Sequence, residues 1–191
     1  MEGTEDIDET LQLLAGQYVW SVRCGVDTFL TMEFGEPHRV IYDPSRTASE
    51  YDSEVVRNVL GRRLISIKGD FTLFVRDSQW SISTKNAAVN WESDQTLVRE
   101  MISDHLDGQK VVTVVRRADD TIFEFDLGTT LRLGRSMFPA DEASVLWTIK
   151  RWGGLGVGLL NSGAVFPIGK NGEERDANAQ TASKSPSSEF D

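Results

Sequence analysis

The chain has one cysteine, Cys24, among its 191 residues. An internal disulfide and a multi-cysteine zinc site are therefore excluded, and a reducing, cytoplasmic setting is expected. Nowhere do eighteen apolar residues run together, so a soluble protein without a helical membrane span is expected. The first nine residues, MEGTEDIDE, hold five acids and no base, which does not fit a secretory signal.

Histidine is nearly as scarce as cysteine. Any His-dependent triad or metal site must use His38 or His105. No G-x-S-x-G motif occurs. The stretch GGLGVGLL (153–160) has the glycines of a phosphate loop but not its Gly-Lys-Ser/Thr ending, and reads better as an apolar strand or hairpin. No cofactor and no metal is expected.

Positive charge is also short, with 20 Lys and Arg against 30 Asp and Glu. Direct nucleic-acid binding is disfavoured, because phosphate affinity is built from lysine and arginine displacing counterions. A basic partner surface would be attracted. The acidity sits at the ends: taking the −5 of residues 1–9 and the −2 of residues 170–191 from the total of −10 leaves −3 for residues 10–169. Both ends read as disordered polar segments.

Between them, alternation and turn chemistry predict an α+β fold of mainly antiparallel strands. Ile7, Leu11 and Leu14 share a helical face closed by Gly16. Strands follow at 17–24, 29–35 and 38–43, a short helix capped by Ser53 and ended by Gly61, then strands at 62–69, 71–77 and 79–84, with Gly69-Asp70 as a tight hairpin. The segment 93–108 predicts the clearest helix, capped by Ser93, with Leu97, Val98, Met101, Ile102, His105 and Leu106 as one stripe. Strands at 110–117, 121–128, 130–136 and 145–152 complete the reading.

An internal echo organises these elements. Placing Gly16-Gln17 on Gly108-Gln109, with one inserted residue, gives nine identities over the 28 positions Leu14–Ile41, including Val19 with Val111 and Gly35 with Gly128. Trp80-Ser81-Ile82 echoes Trp147-Thr148-Ile149. The expectation is two pseudo-repeated helix-plus-β-meander halves, residues 10–91 and 92–169, packed or joined as one sheet system, the first with an insertion of about 26 residues containing the short helix. Met32 then matches Phe125, with Leu30, Met32, Phe34 and Phe123, Phe125, Leu127 inward. Glu33 and Asp126 point outward, beside Arg39 and Arg132.

Few residues carry chemistry. Glu33, Asp126 and His38 are candidate acid/base groups, and surface carboxylates would have to serve any enzyme built on this chain. His105 reads as a charge at a helix C-terminus, Cys24 as a small filler. Five tryptophans supply aromatic surface or core. The leading functional expectation is a non-enzymatic interaction domain of the inhibitor, immunity or adaptor kind. It would bind a partner protein through Trp147, Trp152 and Phe166 with Glu33 and Asp126. A module binding a small apolar ligand near the tryptophans is the second, a carboxylate enzyme the third.

Overall fold

A computed structural model describes residues 7–25, 27–44, 53–117, 119–138 and 141–169. The expectations of disorder at residues 1–6 and 170–191 fall outside these, while residues 7–9, grouped with the acidic end by composition, are helical.

Among the described residues, three short helices accompany thirteen antiparallel strands. Helix α1 (Ile7–Gln12) buries Ile7 and Leu11, with Leu14 below them, and the chain reverses at Gly16, whose φ of +85° suits glycine. Strands β1 (Val19–Cys24) and β2 (Leu30–Phe34) form the expected hairpin, with a bulge between Trp20 and Arg23. An excursion of β3 (His38–Tyr42), α2 (Glu54–Leu60) and β4 (Leu64–Lys68) follows, in which β3 pairs, among the described strands, only with β4. The Ser53 side chain caps α2 by accepting the Val56 N–H.

Next come β5 (Phe71–Val75), β6 (Ser78–Ser83), β7 (Ala88–Asn90) and α3 (Gln95–His105). Helix α3 is capped by Asp94, not Ser93: the aspartate carboxylate accepts the Thr96 and Leu97 N–H groups, while the Ser93 hydroxyl is drawn back to Asn90. Val98, Met101, Ile102 and Leu106 enter the core, but Leu97 and His105 are exposed. The chain ends in β8 (Val111–Arg117), β9 (Asp120–Phe125), β10 (Thr130–Ser136), β11 (Val145–Arg151), β12 (Gly156–Leu160) and β13 (Val165–Ile168).

One sheet runs β1-β2-β5-β11-β12-β13, the other β7-β6-β10-β9-β8. Strands from either side of residue 92 thus occur in both. In the first sheet Trp147 and Ile149 stand opposite Val75 and Leu73, and in the second Trp80 and Ile82 stand opposite Leu133 and Leu131. Both sheets feed one core, where Phe34 stacks on Phe123 at 6.3 Å. At their margins β1 and β8 are stitched by N–H bonds from Gly16 to Val111, Val19 to Gln109, Gly108 to Val19 and Val111 to Gln17, each 2.8–2.9 Å.

Several expectations are corrected. Gly69-Asp70 is a corner between sheets and not a hairpin, because β4 pairs with β3 while β5 lies between β2 and β11. Leu30, Met32 and Phe34 are inward as expected, but Glu33 on the opposite face is only 5% exposed, since the segment Lys68–Thr72 covers it. Leu127 is 79% exposed, because β9 ends at Phe125 and residues 126–128 form the turn into β10. The ion pairs are Glu33–Lys68 and Arg132–Asp120, not Glu33–Arg39 and Asp126–Arg132. Trp147 and Phe166, expected at a docking surface, are core residues at 1% and 7% exposure. The glycine-rich segment, by contrast, is the expected hairpin, formed by β12 and β13, in which the Phe166 ring lies where a side chain on Gly158 would be.

Candidate functional site

Three of the residues singled out by sequence meet at one corner, where β2 leaves the first sheet and the excursion begins. Gly35, with φ +79°, lets the chain turn and leaves room for Asp70: a Cβ there would lie 2.4 Å from its Oδ2. The Asp70 carboxylate accepts the Glu36 N–H at 2.8 Å through Oδ2 and faces His38 Nε2 at 2.8 Å through Oδ1. The His38 ring lies parallel to Trp152, centroids 5.0 Å apart, and the Trp152 N–H donates to the Asp70 carbonyl at 2.7 Å. The hydrogen bond from His38, and then the Glu36 amide, hold the Asp70 carboxyl below the usual carboxylate range.

Beneath this corner Glu33 is fully engaged. Its carboxylate accepts bonds from Lys68 Nζ at 2.9 Å, the Gly69 N–H at 2.9 Å and the Thr72 hydroxyl at 2.7 Å. Gly69 has to be glycine, because a Cβ would lie 2.3 Å from the Phe34 carbonyl oxygen. The root of the excursion is therefore clamped twice, by Glu33 to β4 and by Asp70 to the start of β3.

Chemically, the corner holds a histidine–carboxylate pair without a nucleophile. Among the described residues His38 bonds to no hydroxyl or thiol, and one face of its ring lies on Trp152. Asp126 sits elsewhere, in the β9–β10 turn, where Oδ1 accepts the Lys110 N–H and its own N–H donates to the Lys110 carbonyl, both at 2.9 Å. Glu33 and Asp126 share no partner, so they do not form a carboxylate pair. Cys24 is half-buried, and burial pushes its thiol pKa up, away from nucleophilic reactivity. No cluster of three His, Cys, Asp or Glu side chains suited to a metal ion occurs among the described residues. No described helix is long and apolar enough to cross a membrane.

Outward from the clamp, the excursion exposes apolar side chains. Cross-strand partners share a face, so Arg39 and Ile41 of β3 lie with Ile67 and Ile65 of β4. Ile41, Ile65 and Ile67 are 39%, 65% and 47% exposed, and α2 buries none of its residues, leaving Val55 at 72%. Of the anticipated docking tryptophans and phenylalanine only Trp152, at 44%, reaches the surface, at the foot of this excursion. Sequence reading missed Asp70 as a partner and the open apolar face. The alternation of Ile65 and Ile67 with polar residues was a visible signal for the face, but not for which side is covered. No protein-family model matches the chain, and no curated protein matches it.

Proposed function

We propose that the protein is a non-enzymatic interaction domain that docks on another protein through the β3–α2–β4 excursion. One observation carries this reading: a five-residue ribbon clamped to the body presents three isoleucines to solvent on one face. Apolar patches of this kind mark association surfaces. Whole-chain acidity favours a basic partner, but Arg39 lies on the isoleucine face and makes no ion pair with a described residue. The surface that fits is apolar with carboxylates at its margin. The test compares capture from the native cell by the full chain and by an Ile41→Ser/Ile65→Ser/Ile67→Ser variant of unchanged melting temperature. A stoichiometric partner lost by the variant supports docking here; identical captured sets refute it.

We also infer that the chain is a duplication in which the two units exchange strands. The ladders support it in matched pairs. Val19 opposes Phe34 as Val111 opposes Phe125, and Met32 opposes Leu73 as Phe123 opposes Leu131. Ile149 opposes Leu73 and Val157 as Ile82 opposes Leu131 and Val89. On this reading β6-β7 and β11-β12 are the fourth and fifth strands of their units, each added to the other unit's sheet, and the excursion is the insertion. The register moves two residues from the one read in sequence: Phe34, not Met32, corresponds to Phe125. Replacing residues 35–70 with the Asp-Leu-Gly turn that joins β9 to β10 tests it, since Phe34 and Phe71 already face each other. A cooperatively folding product supports duplication, and loss of the fold counts against it.

A further inference from the structure

The outer face of the five-stranded sheet carries a trough of about 460 Å³, within the ~300–1,000 Å³ range of small-molecule sites. Asn90, Ser81 and Arg132 lie side by side across β7, β6 and β10. Small residues keep the floor low: a Cβ on Gly134 would lie 3.4 Å from both Asp120 Oδ1 and the Gln79 carbonyl oxygen. Half-buried Trp91 lines the trough and is held by its N–H bond to the Trp80 carbonyl at 3.2 Å.

Two features narrow what could lie there. The arginines of the trough are each neutralised by an aspartate, Arg132 by Asp120 at 2.7 Å and Arg135 by Asp119, so the site offers an anion little net attraction. The Trp91 indole N–H, the Gln79 amide and the Ser81 hydroxyl make no hydrogen bond to a described residue, leaving donors and acceptors together beside a flat apolar surface. On the other sheet, the positions that the duplication reading pairs with Asn90 and Arg132 are Gly158 and Phe74, both apolar and filled: Phe166 covers Gly158, and Phe74 packs edge-on against Phe29.

We propose that the trough binds a neutral polyhydroxylated molecule, a mono- or disaccharide, with a C–H face of the ring on Trp91. Gln79, Ser81, Asn90 and the Arg132–Asp120 pair meet its hydroxyls. This goes beyond docking through the excursion and stands without it. The test is titration of the isotope-labelled full chain with glucose, galactose, mannose, N-acetylglucosamine, maltose and cellobiose to about 50 mM, enough to reveal a millimolar Kd by NMR. At least one sugar is expected to shift the Trp91 indole signal and amides of β6, β7 and β10. Trp91→Ala, and separately the exposed Arg132→Ala, are expected to weaken that binding at least tenfold. Three results would overturn the proposal: no shift with any of the sugars, shifts unaffected by Arg132→Ala in a folded protein, or the same shifts produced by inorganic phosphate alone.

Discussion

Removing the Glu33 carboxylate is expected to loosen the root of the excursion before anything else. The side chain is 5% exposed and accepts three bonds, from Lys68, Gly69 and Thr72. In Glu33→Ala the buried Gly69 N–H is left without its acceptor, a cost of about 1–3 kcal/mol. Lys68 is one-third exposed and returns to water, so its share is about 1 kcal/mol, below the roughly 3–5 of a fully buried pair. The Thr72 hydroxyl can turn to another acceptor. Together these give about 3 kcal/mol, which for a chain of this size lowers Tm by about 6–12 °C. Glu33→Gln, which keeps one carbonyl acceptor, should lose about half as much.

Urea unfolding followed by circular dichroism measures these losses, and hydrogen exchange locates them, with the amides of β3 and β4 losing protection first. A cycle with Lys68→Met should return a coupling of about 1–2 kcal/mol. A Glu33→Ala protein within about 1 kcal/mol of the parent, or a coupling near zero, would refute the clamp.

Other perturbations separate close packing from backbone strain, and core from surface. Gly69→Ala places a Cβ against Phe34 backbone atoms at 2.3 and 2.7 Å and should cost about 3 kcal/mol or more. Gly158→Ala meets the Phe166 ring at 2.3 Å and should cost about 1–3 kcal/mol. Gly163→Ala meets only its φ of +82° and should cost about 1 kcal/mol, an order that urea midpoints check directly. Trp147→Ala should cost about 3–5 kcal/mol. Trp152→Ala, losing one partly exposed stack on His38, should cost about 1 kcal/mol in the same assay. For pH, the Asp70 carboxyl is held below its unfolded value of about 3.9. Its contribution is therefore full above that value and is lost as pH falls through the lower folded one. The stability gap between the parent and Asp70→Ala should narrow progressively on acidification below about pH 4, and a gap that does not narrow as the pH falls would contradict it.

Local signals carried much of the architecture. Gly16 and Gly108 take φ near +86° where helix ends were anticipated, and the long strands fall where alternation put them. Strand β7 was invisible because Ala88–Asn90 has one buried residue and no alternation of its own; its pairing with β6 makes it a strand. The burial of Glu33 was invisible for a related reason. Its face is decided by Lys68, Gly69 and Thr72, some 35 residues away, and sequence alternation assigns a side of a sheet without saying what covers that side.

On the duplication reading, the two-residue register difference has the same root. Sliding β9 by two positions against β2 leaves every side chain on the face it had, so Met32 with Phe125 and Met32 with Phe123 are equally consistent with alternation. On that reading the ladders favour the second pairing, because Met32 and Phe123 each stand opposite a leucine, Leu73 and Leu131, that in turn faces Ile149 and Ile82. Hydrophobic period could therefore carry the inward set of each strand, while the pairing of β6 with β10 and of β5 with β11 joins residues 47 to 80 positions apart and left no periodic trace.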